Sequence, residues 1–527
     1  MKSVMKHQFS IVPKAEIPRS TFDRTHGHKT TFNSNLLVPF FCDEALPGDT
    51  FTVGATIFAR LSTPIVPIMD NVFLDTQFFA VPYRLVWDNW ERFNGAQDDP
   101  GDSTDFLIPQ MVSPATTGYP PMSISDYLGI PTGVPGLSHS SLWHRAYSLI
   151  WNTWYRDENL QDSAPVDKGD GPDLPANYPL RKRGKRHDYF TSALPWPQKG
   201  ESVTIPLGTS APVITTNANV LLKGSNNVGE STMTWAVAND QIHRSAGNPQ
   251  SAELVSFGTV TGLQADLEAA TGSSINQLRQ SFQIQKLYER DARGGTRYVE
   301  MLKAHFNVVS PDFRLQRPEL LGTGQSIVNF HQVPQTSGSP QPTGYTSTPQ
   351  GNLAAFATVQ GGRHGFTKSF TEHCLILGIM SVRADLTYQQ GLNRMFSRRQ
   401  RFDFYYPALS HIGEQSVLQK EIYATGVPAE DNVVFAYQER FAEYRYKPSV
   451  VTGLMRSQAA QSLDVWHLAQ EFSTPPLLNS AFIEENVPMG RVLAVQNQPE
   501  FIFDSYIKMH CARPMPVYGV PGLIDHF

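Results

Sequence analysis

Leu46-Pro47-Gly48-Asp49-Thr50-Phe51-Thr52-Val53-Gly54-Ala55-Thr56-Ile57-Phe58-Ala59 sets the fold class, because it joins a turn with a physical mechanism to a strand with a two-residue period. Pro47 fixes φ and Gly48 permits a positive one, so the chain reverses there. Phe51, Val53, Ala55, Ile57 and Ala59 then alternate with Thr50, Thr52, Gly54 and Thr56, which predicts a half-buried strand. Residues 72–81 form a second apolar, aromatic strand stopped by Pro82. Residues 373–388 open on a continuous apolar run and grow more polar, as a strand leaving the core would. Phe501, Phe503, Ile507, Met509 and Cys511 give another period-two face. If strands so far apart share one sheet system, the connections between them carry most of the mass.

Composition agrees with a β architecture. Length alone, 527 residues, allows three or four ordinary domains, although all-β domains with long insertions break that count. Pro (39) and Gly (38) are scattered throughout, which many turns and long loops require. Only 17% of residues are charged, below the usual quarter, so much of the surface is neutral. A net charge of −5 gives no global attraction to nucleic acid or anionic membrane, and any such contact must come from a local patch. Cys42, Cys374 and Cys511 are odd in number and far apart, a poor basis for a disulfide framework or zinc site. Met1 to Gln8 lacks the apolar core of a signal peptide, and the sequence is expected to be made and used in a cytoplasm.

Helical periodicity falls inside the connections. Trp143, Tyr147, Ile150 and Trp154 form an aromatic stripe over three turns, expected to pack on a sheet. Ser274 and Gln277 form a capping box opening a helix over 275–289, with Ile275, Leu278 and Phe282 on one face. A third helix is expected from Ser462 through Trp466 to Phe472, ended by Pro475-Pro476. Residues 206–262 are rich in Ser, Thr, Asn, Gly and Val and look like a separate β-rich excursion; 338–351 read as a flexible loop.

Motifs of catalysis are absent: no His-Glu-x-x-His, Gly-x-Ser-x-Gly, phosphate loop, dinucleotide fingerprint or Cys-x-x-Cys occurs. Asp98-Asp99 and Glu484-Glu485 read as solvated neighbours rather than a glycosidase pair, and His26 with His28 has no further ligands at metal-site spacing. No metal and no cofactor are expected. Two basic clusters stand out. Arg181, Lys182, Arg183, Lys185, Arg186 and His187 precede Tyr189 and Phe190, while Arg394, Arg398, Arg399 and Arg401 interleave with Phe396, Phe402, Phe404, Tyr405 and Tyr406. Cations beside aromatic faces suit single-stranded nucleic acid, charge tracking phosphates and rings stacking bases; the alternatives are a solvated loop for the first and a subunit interface for the second. The terminal stretch 512–527, proline-punctuated and apolar, reads as an extended arm that clasps a neighbouring subunit through Arg513, Tyr518, Leu523, Ile524, His526 and Phe527, or as a strand docking on its own domain.

Several strings carry a family resemblance: Phe22-Asp23-Arg24-Thr25-His26, Pro67-Ile68-Met69-Asp70-Asn71, Tyr189-Phe190-Thr191-Ser192-Ala193-Leu194-Pro195-Trp196-Pro197, Glu289-Arg290-Asp291-Ala292-Arg293-Gly294-Gly295-Thr296-Arg297-Tyr298, Glu443-Tyr444-Arg445-Tyr446-Lys447-Pro448 and Pro521-Gly522-Leu523-Ile524-Asp525-His526-Phe527. Together they resemble the gokushovirus (Microviridae) major capsid proteins, the F-type phage capsid family, over nearly the whole chain. The resemblance implies a mainly β fold, an eight-stranded antiparallel jelly roll with long inter-strand insertions containing a few helices. It implies no enzyme but a T=1 icosahedral shell of sixty copies, with pentamers as intermediates, around circular single-stranded DNA. Further implied partners are an internal scaffolding protein, small DNA-binding and pilot proteins of the virion, and a receptor on the bacterial host, with assembly in the host cytoplasm. The expected organisation is an N-terminal arm over 1–49, a jelly-roll core over 50–390, a three-fold surface protrusion over 207–262 used for host attachment, and a C-terminal extension with its arm over 391–527. A rival class is a β-sandwich that binds carbohydrate or hydrolyses glycosides, suggested by eight Trp and many Tyr.

Overall fold

The computed structural model describes residues 18–200, 275–294, 316–336 and 350–518, together with residue 203, six short strands between 213 and 265, and residues 300 and 303–305. Two compact units divide the chain: Met1–Pro197 with Val309–Phe527, and Gln198–Val308.

The first unit is built on one antiparallel sheet. Its strands are β1 (Ser20–Asp23), β2 (His26–Phe32), β3 (Val38–Ala45), β4 (Thr50–Leu61), β5 (Val72–Pro82), β6 (Glu319–Pro334), β7 (Leu353–Ser369), β8 (Cys374–Ala384) and β9 (Phe501–Arg513). They lie in the order β1-β9-β4-β7-β6-β5-β8-β3, with β2 also paired to β9. Ser20 faces Arg513, His26 faces Ile507 and Phe32 faces Phe501, so β1 and β2 are one edge strand in continuous register, interrupted at Arg24 and Thr25. Two halves result, β1/β2-β9-β4-β7 and β6-β5-β8-β3, joined where β6 pairs with β7. Each half interleaves early strands with late ones, the pattern of a jelly roll. The long strands β6 and β7 carry bulges at Leu320/Gly322 and Gly361/His364, and bulges add the local bend and twist that let a strand serve both halves.

The turn at Leu46–Asp49 forms as its residues require. Gly48 has φ +89°, and the Asp49 backbone N–H donates to the Leu46 carbonyl at 3.0 Å. The alternation that follows is realised: Phe51, Val53, Ala55, Ile57, Ala59 and Leu61 are all buried. From β9, Phe501, Phe503, Ile507, Met509 and Cys511 join them in one core with Phe78, Ile376 and Val382 of the opposite half. Aromatic contacts tie the halves together, Phe40 with Phe78 at 5.4 Å and Phe40 with Phe503 at 5.9 Å between ring centres. Each such pair adds about 0.5–1.5 kcal/mol beyond the area it buries.

The second half is covered on its outer face as well. Phe79, Val81, Leu375, Leu377 and Ile379 pack against Leu142, Ala146, Tyr147 and Ile150 of α1 (Leu142–Ile150), which continues into a single π-helical turn over Trp151–Tyr155. The expected packing of this stripe on a sheet holds for Tyr147 and Ile150. Trp143 is half-buried, and Trp154 sits at the rim, its indole N–H donating to the Pro318 carbonyl at 2.9 Å. Double coverage also corrects the expectation for 373–388: β8 does not leave the core, and every residue of it but Arg383 is buried. Its polar end stays inside because Ser381 accepts from Arg183 at 2.9 Å and Arg383 meets Asp75 at 2.8 Å.

Local pattern misled at 462–472. Only Asp464–Trp466 is helical, as one 3₁₀ turn. Beyond it the Leu468 backbone N–H donates to the Asp70 carboxylate and the Gln470 N–H donates to the Thr387 carbonyl at 2.8 Å. Bonds to segments far along the sequence thus replace the i−4 ladder.

In the second unit the described strands are Val213–Thr215, Leu221–Gly224, Ser231–Ala236, Gln241–Arg244, Val255–Phe257 and Leu263–Ala265. The helix α2 spans Ile275–Arg293, four residues beyond its expected end, with Arg290 and Arg293 complementing its C-terminal dipole. Of its expected apolar face, Leu278 is half-buried while Ile275 is 69% and Phe282 62% exposed. Ser274 and residues 338–349 lie outside the described residues.

Candidate nucleic-acid and assembly surfaces

The first basic cluster runs as an extended ribbon through the first unit. Leu37 N–H donates to the Arg181 carbonyl, Arg183 N–H to Asn35, Lys185 N–H to Ile483 and Glu485 N–H to Arg183, all within 2.8–3.0 Å. Extended backbone sends alternate side chains to opposite faces. On one face Arg181 lies over the Trp151 ring at 5.0 Å, Arg183 bonds Asp75 at 2.8 Å, and Lys185 lies over Phe482 at 4.4 Å. On the other, Lys182 approaches Glu484 at 3.6 Å, while Arg186 bonds Asp385 at 3.0 Å and covers Phe73 at 4.7 Å. Lys185 is buried, Arg181, Arg183 and Arg186 are partly buried, and Lys182 and His187 face solvent. Most of the cluster therefore neutralises acids of its own subunit, since a buried cation without a partner is strongly unfavourable.

Glu485 departs from the solvated reading. It is 1% exposed, with one carboxylate oxygen unpartnered. Burial pushes its carboxyl up to about 7, against the pull of Lys185, Arg383, Arg183 and Arg186; burial likewise lowers the Lys185 ammonium to about 8. Because the folded chain holds the Glu485 proton to higher pH than the unfolded chain, this group takes away stability as pH rises from the ordinary carboxylate range through about 7. The slope is at most about 1.4 kcal/mol per pH unit. Glu485→Gln is expected to flatten that fall, checked by urea-unfolding midpoints of subunit at pH 5 and pH 7.5; a wild-type-like difference between the two pH values would refute it.

The second cluster is a chain of 3₁₀ turns, Arg394–Phe396, Arg401–Asp403 and Pro407–Leu409. The Asp403 carboxylate accepts the backbone N–H groups of Gln400 and Arg399, each at 2.8 Å, and these bonds hold its carboxyl below the usual range. Arg398 lies between the Tyr444 ring at 4.3 Å and the Phe404 ring at 5.5 Å and pairs with Glu443 at 3.3 Å. Arg399 and Arg401 are exposed, the latter against Tyr406 at 5.3 Å. Around them Phe396, Phe402, Phe404 and Tyr405 are about half exposed or more, an apolar patch that marks an interaction surface.

At the C-terminus, Arg513 belongs to its own subunit: it pairs with the buried Asp49 at 3.1 Å, donates to the Glu44 carbonyl at 2.6 Å and covers Phe51 at 5.5 Å. Past it the chain turns outward, with Tyr518 77% exposed. Leu523, Ile524, His526 and Phe527 lie outside the described residues. Among the described residues no group of three His, Cys, Asp or Glu is placed to hold a metal ion, and no helix is long and apolar enough to cross a membrane. Residues that sequence reading left out of the candidate set are Lys420 and Arg440, brought beside Arg394 and Arg398 by the hairpin of Glu414–Leu418 with Val434–Glu439. Nothing local marks them.

Residues 10–523 match the family described as capsid protein (F protein). The chain is 49% identical to capsid protein VP1 of Bdellovibrio phage phiMH2K, covering 99% of this chain and 98% of that protein. It is 43% identical to capsid protein VP1 of Chlamydia phage 1 over 99% and 98%, and 38% identical to that of Spiroplasma virus 4 over 98% and 97%.

Proposed function

The chain belongs to the capsid protein (F protein) family, and from that premise we propose that sixty copies close into a T=1 icosahedral shell around a circular single-stranded DNA genome. This is a structural protein of the virion, the major capsid protein of a phage, in a family that assembles with itself. The observation that carries the finer reading is the near-complete coverage of three phage capsid relatives, seen together with a jelly-roll sheet whose own connections hold most of the residues. Pentamers, an internal scaffolding protein, small DNA-binding and pilot proteins and a host receptor complete the reading, with assembly in the host cytoplasm.

Roles can be divided by exposure. Lys182, His187, Arg399 and Arg401 are the solvent-facing members of the two basic clusters and are assigned to genome phosphates, while Arg183, Lys185 and Arg186 brace the subunit. The clasp between subunits begins beyond Arg513, with Tyr518 as its first exposed aromatic. The 207–262 excursion is assigned to a three-fold protrusion that meets the host surface, because an insertion can vary without disturbing the sheet.

Electron microscopy and nuclease-protected DNA content of purified particles test this reading. Uniform small shells with protected single-stranded DNA are the expected result; monodisperse monomers under assembly conditions would overturn it. Neutralising Lys182, Arg399 and Arg401 together is expected to lower protected DNA per particle, with the deficit largest at low salt and narrowing as salt rises. Unchanged content at every salt concentration would remove these three from the genome surface.

A further inference from the structure

A cleft of about 160 Å³ opens between the second basic cluster and the hairpin of Glu414–Leu418 with Val434–Glu439. That is room for on the order of ten water-sized molecules. Four cations line it, Arg394, Arg398, Lys420 and Arg440, against three carboxylates, Asp403, Glu421 and Glu443.

The carboxylates are already engaged. Glu421 accepts from Arg394 at 2.9 Å, from the Tyr189 hydroxyl at 2.9 Å and from the Leu418 N–H at 3.0 Å. Glu443 accepts from Arg398 at 3.3 Å and Gln415 at 2.7 Å, and Asp403 caps its own turn through two backbone N–H groups. The hydrogen-bond partners of Lys420 and Arg440 are neutral, the Asn432 side-chain oxygen at 3.0 Å for Lys420 and the Phe402 carbonyl at 3.3 Å for Arg440, which also covers the Phe441 ring; Asp431 and Asp403 act on them only through space. The Nε atoms of Arg398 and Arg440 are buried and have no hydrogen-bond partner. A cleft lined by four cations against three carboxylates that are already hydrogen-bonded suits an anion. Phe402 in its wall is 59% exposed, and Phe404, packed against the cleft residue Arg398 at 5.5 Å, is 51% exposed, rings of the kind on which unpaired bases stack.

We propose that this cleft seats a phosphodiester of single-stranded nucleic acid, with the flanking bases stacked on Phe402 and Phe404. The inference rests on the genome-packaging reading above and gives it a defined seat in each subunit. Arg394 and Arg398 supply charge while held by Glu421 and Glu443, so the seat is preorganised; Lys420 and Arg440 supply charge that no hydrogen-bonded carboxylate holds. Single-strandedness follows from the rings, which need bases free of a duplex stack.

The test is binding of a fluorescent ten-residue oligothymidylate to the full-length unassembled protein across a salt series, with inorganic phosphate as competitor. The variant is Lys420→Gln with Arg440→Gln; neither residue pairs with a buried carboxylate, so no charge is orphaned, and an unchanged melting curve verifies the fold. The expected result is about tenfold weaker binding and a slope of log affinity on log salt reduced by about 1.4, two released counterions. Phosphate should compete on the wild type and lose that effect in the variant. Salt-dependent binding that is equal in wild type and variant overturns the cleft while leaving genome contact elsewhere intact. Absence of oligonucleotide binding by the wild type overturns both, and competition-grade phosphate binding without any oligonucleotide binding reduces the cleft to a free-anion site, which also overturns the proposal.

Discussion

Asp173→Ala is expected to destabilise the subunit by about 3–5 kcal/mol, the cost of leaving a buried cation without its partner. Arg145 on α1 is 0% exposed, and its Nε and Nη2 reach the two Asp173 oxygens at 2.7 and 2.5 Å. Its Nη1 donates to the carbonyls of Val86 at 3.1 Å and Gly169 at 2.8 Å, and Tyr178 donates to Asp173 at 2.8 Å. Burial alone would raise the Asp173 carboxyl, but the bonds from Arg145 and Tyr178 outweigh it and hold it below the usual range. Truncation therefore strands a guanidinium in the layer that fastens α1 to β5 and β8. Urea unfolding of the full-length subunit reads the effect, and a loss under about 1 kcal/mol would mean that water reaches Arg145. Replacing both partners, Arg145→Met with Asp173→Leu, is expected to recover most of the loss, because apolar pairs of similar volume are often neutral exchanges for buried ion pairs.

The second large effect is expected at Gly365. A Cβ there would fall inside the van der Waals envelope of the Val53 carbonyl, and Gly322 in turn faces the Gly365 carbonyl with no room for a side chain. The site lies just past the β7 bulge, where the strand passes from β6 to β4. Gly365→Val must push β7 and β4 apart, with an expected cost of about 3 kcal/mol, at the upper end of overpacking penalties, and a matching loss of assembled particles. Gly362 is the control: nothing lies within 4 Å of its Cβ position, so Gly362→Ala is expected to change stability by no more than about 0.5 kcal/mol. Equal unfolding midpoints for the two variants would refute the close-approach account.

Legibility in the sequence followed how many faces of each element are buried. β4 and β9 have one covered face, so alternation announced both the strands and their core residues. β8 is covered on both faces, by the sheet core and by α1, and its pattern carried no sign of which residues would stay inside. The 462–472 segment looked helical because its own residues allow a helix, while the bonds that decide its path come from Asp70 and Thr387. The basic clusters were visible as composition. Their allocation was not, since Asp75, Asp385 and Glu485 lie roughly one hundred to three hundred residues from the ribbon they neutralise. Lys420 and Arg440 had no local mark at all, because a hairpin elsewhere in the chain carries them to Arg398.

β9 lies between the β1/β2 edge strand and β4, and hydrogen-bonds to both. In the order of synthesis, though, it follows β4 by about 440 residues. At ribosomal speeds of roughly 5–20 residues per second, β4 waits about 20–90 s for its neighbour. Throughout that interval the edge strand has no partner and β4 has a bare ladder toward it, the kind of template that recruits other nascent chains. Closure of the sheet thus cannot precede the synthesis of β9, and a chain that shields its waiting strands until then avoids pairing them with a neighbour's.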